Sequence, residues 1–494
     1  MNININELMI RSGVQFGTSG VRGLVKDMSD EVCWIYATAF IQYLKVDGQI
    51  KKNEKIGIAG DLRPSTPRIM NAISAACIAM EVIPINFGKI PSPAIALFGI
   101  TQKIPTIMIT GSHIPDDRNG IKFNTAEGEI LKADEQGIRS QQVDVQADLF
   151  TEEGCLVNQN DLPGLNNEAE MFYIQRFIDF LPTHCLQSKK IGLYEHSSVS
   201  RDCFKTVLEK LGANVTSLGR SDTFISVDTE AIRPEDVVLA KQWTSENDFD
   251  CIISTDGDGD RPLISDENGN WLRGDVAGML CARYLNADNV VTPVSSNSVV
   301  EKSGFFNNIV QTKIGSPFVI EAMQRLSAEG KQNIVGYEAN GGFLQQGEIS
   351  QNNKLLSPLP TRDAVIVPIA ILLLADQEKQ TIAELLKTLP QRYTYSDKIN
   401  DFPTELSQEI LGEMLKSDLK TNLSVINSYF GKIGEAKEIN TTDGVRITFK
   451  TDDILHLRPS GNAPELRCYT EASSVSDAEA MNKRTIAIMT KWKE

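Results

Sequence analysis

At 494 residues the chain exceeds the length at which a single hydrophobic core keeps growing, so about three or four domains are expected. Its hydrophobic content of 41% and charged content of 23% are ordinary for a globular protein that folds without staples. A formal net charge of −16 argues against nucleic acid as the main partner, because phosphate backbones attract basic surfaces; an anionic small molecule could be held only by locally concentrated cations.

The first residues, Met1 to Glu7, carry neither a basic n-region nor an apolar h-region, so secretion is not expected. Cys33, Cys77, Cys155, Cys185, Cys203, Cys251, Cys281 and Cys468 are scattered without a C-x-x-C pair, which fits a reducing cytoplasm. The glycine-rich string Phe16-Gly17-Thr18-Ser19-Gly20-Val21-Arg22-Gly23 then places one arginine on a short turn. Residues 55–61 pass from an apolar run into polar turn residues and a helix-compatible stretch over 67–81. The same pattern recurs at 190–196, followed by a helix over 200–211, and at 289–295. Such alternation predicts α/β layers with a largely parallel sheet, whose ligands sit at the carboxyl ends of the strands.

The run Ile107-Met108-Ile109-Thr110 delivers Ser112 onto a turn, followed by His113, Pro115 and Lys122. It lacks the Gly-x-Ser-x-Gly elbow, and no Ser-His-Asp order is visible, which disfavours a hydrolase. A serine hydroxyl can instead carry a phosphoryl group. Residues 148–168 read as a linker. A second apolar run, 251–255, ends in Asp256-Gly257-Asp258-Gly259-Asp260-Arg261. Hard oxygens at alternate positions suit Mg²⁺ or Ca²⁺, and the glycines let the backbone curl around an ion. An EF-hand is disfavoured because Arg261 occupies the position that needs glycine, Pro262 follows, and the preceding run is strand-like. A phosphoserine of about −2, the three aspartates and one dication leave a deficit of roughly three positive charges, for which Arg22, Lys122 and Arg261 are the candidates.

A turn-rich break at 266–270 opens a third unit, which contains the polar loop Gly336-Tyr337-Glu338-Ala339-Asn340-Gly341-Gly342. There a carboxylate beside an amide can accept from and donate to vicinal sugar hydroxyls. The longest apolar run, 364–375, is interrupted by Pro368 and falls short of the roughly 20 residues of a membrane span, so it predicts a buried helix and no membrane partner. Beyond the Leu389-Pro390 break a fourth unit is expected, with strands at 444–450 and 454–458 and a closing helix after Ala472. Between them Arg458-Pro459-Ser460-Gly461-Asn462-Ala463-Pro464-Glu465-Leu466-Arg467 offers two forked guanidinium groups and small polar donors, a grip suited to a phosphate dianion.

These four loops, in this order, resemble those of the α-D-phosphohexomutase family, the phosphoglucomutases and phosphomannomutases, over nearly the whole chain. The resemblance implies three related mixed-sheet α/β/α domains and a smaller α+β C-terminal domain around a central cleft, taken as residues 1–152, 153–268, 269–384 and 385–494. It implies that Ser112 is the phosphoserine and a metal ligand together with Asp256, Asp258 and Asp260, and that Arg22, His113 and Lys122 are cationic residues lining the reacting centre. Arg261, Lys313, Glu338 and Asn340 would contact substrate, and Arg458, Ser460, Gly461, Asn462 and Arg467 would hold the distal phosphate. One Mg²⁺ per chain, a hexose 1,6-bisphosphate intermediate, a phosphosugar substrate and a monomeric or homodimeric state are implied with it. Two departures stand out. Many members end the sugar loop with Glu-x-Ser-Gly-His, whereas here Asn340 replaces the serine and Gly342 the histidine, and Asn462-Ala463 replaces the commoner Thr-Glu. A proton-transfer role for that histidine passes to Lys122 or Arg22. The style of the Ser112 loop favours mannose phosphate, then glucose phosphate, then an amino or N-acetylamino sugar phosphate. The readings from other classes are a non-catalytic sugar-phosphate-binding protein and a metal-dependent phosphatase.

Overall fold

Three times along the chain the same four-strand pattern is laid down: three parallel strands in the order second, first, third, and a fourth strand that turns back antiparallel beside the third. In the computed structural model, which describes residues 2–17, 20–146, 148–158, 161–460 and 464–493, the first copy is Ile83–Lys89, Lys55–Gly60, Thr106–Ile109 and Arg118–Thr125. Gly20–Leu24 extends that sheet on the far side of Arg118–Thr125. The second copy is Asn214–Leu218, Lys190–Tyr194, Cys251–Thr255 and Pro262–Ile264. The third is Asn308–Thr312, Asn289–Pro293, Ile334–Tyr337 and Phe343–Gln346, with Leu359–Asp363 added beyond it. The sheets are therefore mixed rather than largely parallel. The alternating pattern revealed the parallel strands because they are apolar runs; Arg118–Thr125 reads as polar turn yet is buried along most of its length between its neighbours.

This repetition positions the site. The Ser112 loop, the aspartate loop and the Glu338 loop each fill the same place, the turn between the third parallel strand and its antiparallel partner. Strand carboxyl ends gather at one side of an α/β sheet, so three equivalent turns converge on one cleft.

Helices cover the sheets as the sequence pattern requires. Thr66–Ala79 places Pro67 in its first turn, where the missing N–H costs nothing. Pro368 plays the same part in Ile366–Glu378, so the apolar run is one helix that begins just before the proline instead of breaking at it. All its residues from Ile366 to Ala375 are buried. Among the described residues no helix is long and apolar enough to cross a membrane.

One continuous apolar core, from Ala59 through Ile191, Val290 and Ile369 to Leu389, passes through all three α/β units. The fourth unit is an antiparallel sheet, in the order Tyr393–Asn400, Glu465–Ala472, Ile454–Pro459, Val445–Phe449 and Ala436–Asn440, packed against Val475–Thr490. It has a separate core of its own, including Phe402, Ile426, Phe430, Leu457 and Met489. Hydrogen bonds join it to the third unit: buried Glu471, held by Arg392 Nε at 2.8 Å, accepts from the Ser298 amide at 2.9 Å, and Asn297 Nδ2 donates to the Arg392 carbonyl at 2.9 Å.

Candidate active site

Ser112 is buried and sits in the left-handed region at φ 56°, a conformation that costs a non-glycine residue about 1–2 kcal/mol and persists only where the surroundings impose it. Arg63 imposes it. This fully buried arginine uses all five of its N–H donors: Nε on Asp61 at 3.1 Å, Nη1 on the carbonyls of Pro115 and Arg118, Nη2 on those of Ser112 and Ile114. Phe224 lies under its guanidinium, 4.0 Å from ring centroid to Cζ. The preceding Gly111 is explained by the same contact, since a Cβ there would lie 2.6 Å from Arg63 Cζ.

So held, the Ser112 hydroxyl donates to Asp256 Oδ2 at 2.6 Å. Asp256, Asp258 and Asp260 are all buried, and each offers an oxygen within 4.8 Å of the others. A solvated acidic turn is thereby excluded, and the hairpin between two strands is not an EF-hand. The loop is anchored from the first unit: Ser92 donates its amide to the Asp258 carbonyl at 2.9 Å and its hydroxyl to Asp258 Oδ2 at 2.6 Å. Lys122 reaches Asp258 Oδ2 at 2.6 Å and Asp260 Oδ2 at 2.7 Å. Asp258 Oδ1 and Asp260 Oδ1 remain buried without a hydrogen-bond partner. Two unpartnered carboxylate oxygens beside a third carboxylate are the hard, anionic donor set that a divalent cation such as Mg²⁺ requires.

Charge is distributed unevenly over this cluster. Burial, reinforced by Asp258 and Asp260, pushes the Asp256 carboxyl well above the usual range. Burial also opposes ionisation of the other two, but Lys122 outweighs it for Asp258, and Lys122 with Arg362 and Arg261 does so for Asp260; both are held low. Lys122 is pushed up, because Asp258 and Asp260 outweigh its own burial. Arg22 lies on Gly20–Leu24, opposite Gly120; burial and the neighbouring Arg261 bring it down to about 10. Arg261 lies 3.9 Å from Asp256 and 3.8 Å from Asp260 through its Nε. His113 approaches Ser112 Oγ at 3.2 Å through Nδ1, and burial, with Arg261 beside it, pulls its pKa down to about 3.

Glu338, on the equivalent turn of the third unit, is buried and accepts from Arg362 Nε at 2.7 Å. Asn340 closes the turn, accepting from the Gly342 amide at 2.9 Å, while its carbonyl accepts from buried Thr229 at 2.6 Å. Its amide therefore shapes the loop.

The C-terminal residues form a second cluster. Arg458 and Arg467 stand directly opposite one another on adjacent strands. Arg458 Nε donates to Asp443 Oδ2 at 2.8 Å, and the same oxygen accepts the Ile314 amide at 3.0 Å. This brings exposed Lys313 beside the fourth unit rather than beside the aspartates, with which it makes no ion pair. Ser460 is buried, its amide donating to the Glu465 carbonyl, and Arg467 Nη2 reaches Glu465 at 3.3 Å. Gly461 and Asn462 lie outside the described residues. A polar cavity lined by Glu230, Arg273, Ala339, His456 and Tyr469 separates the sugar loop from these strands.

Several residues that complete the site escaped sequence reasoning: Arg63, Ser92 and Arg362. Each acts on a partner far along the chain, so no local motif marks it.

The whole chain matches known families. Four family models align in order: phosphoglucomutase/phosphomannomutase α/β/α domain I over residues 13–146, domain II over 173–269, domain III over 273–393 and the C-terminal domain over 414–488. The chain is 44% identical to a phosphomannomutase of Salmonella muenchen, covering 96% of this chain and 95% of that one. It is 41% identical to a phosphomannomutase of Sinorhizobium fredii, covering 97% and 99%. Among solved structures, Aspergillus fumigatus N-acetylphosphoglucosamine mutase, in complex with GlcNAc-6P and magnesium, superposes with a TM-score of 0.59 at 13% identity over the full length of both chains. With three equivalent turns meeting over one serine and four matching domains in sequence order, the chain belongs to the phosphoglucomutase/phosphomannomutase family.

Proposed function

We propose that this chain is a phosphohexomutase that interconverts mannose 6-phosphate and mannose 1-phosphate through a phosphorylated Ser112 and a 1,6-bisphosphate. One observation carries the reading: a buried serine hydroxyl 2.6 Å from a carboxylate of a three-aspartate loop that also binds a lysine. Mannose is favoured over glucose because both relatives at 41% and 44% identity bear the name phosphomannomutase.

In this scheme the Ser112 Oγ–P bond breaks as a sugar oxygen forms its bond to the same phosphorus. The bisphosphate turns round in the cleft, and its other phosphoryl group returns to Ser112. A Mg²⁺ held by Asp256, Asp258, Asp260 and the phosphoserine would neutralise the transferring group. Lys122, fixed by two aspartates, supplies a preorganised positive charge that needs no rearrangement during transfer. Arg22 and Lys122, the two groups left for the proton-transfer role, are both held as cations, so each can stabilise the developing charge, and either must first give up its own proton to take one from the sugar hydroxyl. Glu338 accepts from sugar hydroxyls. Arg458, Ser460, Gly461, Asn462 and Arg467, with Lys313 at their edge, hold the phosphate that is not reacting. That grip must fit both orientations of the sugar, so it reads the dianion they share.

Coupled assays with mannose 1-phosphate and glucose 1-phosphate, supplied with the matching 1,6-bisphosphate, test the proposal, with phosphate release followed in parallel. Mutase turnover faster on the mannose ester, a phosphoryl adduct on the Ser112 peptide and loss of turnover by at least a thousandfold in Ser112→Ala are expected. Undiminished turnover in that variant would falsify the scheme, and stoichiometric phosphate release would make the protein a phosphatase.

A further inference from the structure

Residue 342 is glycine where many family members carry a histidine, and the structure shows what stands in that space. A Cβ on Gly342 would lie 2.5 Å from Cδ and 2.7 Å from Cγ of Arg362, whose side chain runs across the glycine. Arg362 is 4% exposed, and its guanidinium faces one carboxylate from each α/β unit. It donates to Glu338 Oε2 at 2.7 Å and to Asp260 Oδ2 at 3.2 Å, and lies 3.9 Å from Glu129. Its remaining arm donates to Ser316 at 2.9 Å, and Ser316 in turn donates to Glu129 at 3.2 Å.

We propose that Arg362 is a positioning residue that couples the sugar loop to the metal loop: it fixes the orientation of Glu338 while moderating the negative charge of Asp260. The inference rests on the reading of Glu338 as the sugar-hydroxyl acceptor and of the aspartates as the cation site. Its physical content is a division of one positive charge. A carboxylate that must meet sugar hydroxyls in a fixed direction needs a rigid two-dimensional donor, which a guanidinium supplies and an ammonium does not. The same charge placed on Asp260 lowers that ligand's attraction for a dication. Arg362 therefore strengthens sugar binding and weakens cation binding, and its removal moves the two affinities in opposite directions. A strut that merely held the loops together would, when removed, weaken both.

The test uses the full-length, unphosphorylated chain, titrated calorimetrically with Mg²⁺ alone and with mannose 1-phosphate at fixed Mg²⁺, alongside steady-state assays. For Arg362→Met, Mg²⁺ should bind about tenfold tighter, while the Kd and KM for mannose 1-phosphate rise about tenfold. That is the span of a typical coupling between sites. For Arg362→Lys, which keeps the charge and loses the fork, Mg²⁺ affinity should stay within about twofold while sugar-phosphate affinity falls severalfold. Gly342→Ala leaves every charge in place and displaces the Arg362 stem, so it should reproduce the lysine variant; it keeps the test open if Arg362→Met fails to fold. Parallel weakening of Mg²⁺ and sugar binding in folded variants, or no change in either, overturns the proposal. If the unmodified protein has no mutase activity, the Mg²⁺ titrations still decide the Arg362–Asp260 half, so failure of the functional reading is separable from failure of this one.

Discussion

Ser112 shows how a buried hydroxyl is placed by a strained backbone. Its left-handed backbone, at φ 56°, is tolerated because Arg63 binds the carbonyls on both sides of the turn. Replacing it tests this directly. Ser112→Ala and Ser112→Gly both lose the hydroxyl and so both lose turnover, but only glycine accepts a positive φ without penalty. Ser112→Gly should be more stable than Ser112→Ala by about 1 kcal/mol, measured by urea unfolding. Equal stability would mean that the loop relaxes and that the serine is not held under strain. At this scale the sequence was most legible for Ser112 and the three aspartates, whose chemistry is written in adjacent residues. It did not show the surroundings of His113, whose pKa is pulled down by burial and by Arg261, about 150 positions away in the sequence.

At the scale of elements, the three equivalent turns make one site out of three chain segments, and Arg63 shows what such a turn demands. Because all five donors are used, Arg63→Lys removes at least two hydrogen bonds inside a buried loop and leaves carbonyls unsatisfied, each at about 1–3 kcal/mol. We expect a loss of about 3 kcal/mol or more in unfolding free energy. A fall in kcat of at least a hundredfold should accompany it, since displacement of a reacting group by about 1 Å is that costly. Urea titration and steady-state kinetics measure the two effects; a variant that loses stability alone would show that the loop does not depend on this arginine for its aim. The parallel strands Lys55–Gly60, Lys190–Tyr194, Asn289–Pro293 and Cys251–Thr255 were readable from their apolar runs and the polar turns that follow them. Their antiparallel partners were not. Arg118–Thr125 and Leu359–Asp363 carry charged residues inward, Lys122 to Asp258 and Asp260 and Arg362 to the three carboxylates around it, and a strand that buries polar groups against distant partners has no hydrophobic alternation to betray it.

Across the whole molecule the division of the core is the governing fact. One apolar core bridges the three α/β units, in addition to a core that belongs to the first unit alone, whereas the C-terminal unit contributes to neither and is joined to the rest by hydrogen bonds such as those of Glu471. Apolar burial is the dominant cooperative term in folding, so the molecule should unfold as two bodies. Scanning calorimetry is expected to give a small C-terminal transition apart from a larger one. Arg392→Ala, which leaves buried Glu471 without its cation, should lower the small transition by several degrees and leave the large one in place. A single coincident transition in both proteins would contradict the division.

The contact between Gly342 and Arg362 also limits how this protein can change over time. With Cδ of the arginine 2.5 Å from the place of a Cβ, a histidine at position 342 would have to displace the stem of Arg362, so a long side chain at 362 and any side chain at 342 compete for one space. The two positions should therefore be inherited together, a small residue at 342 accompanying a long one at 362; an alignment of relatives in which the two vary independently would contradict this.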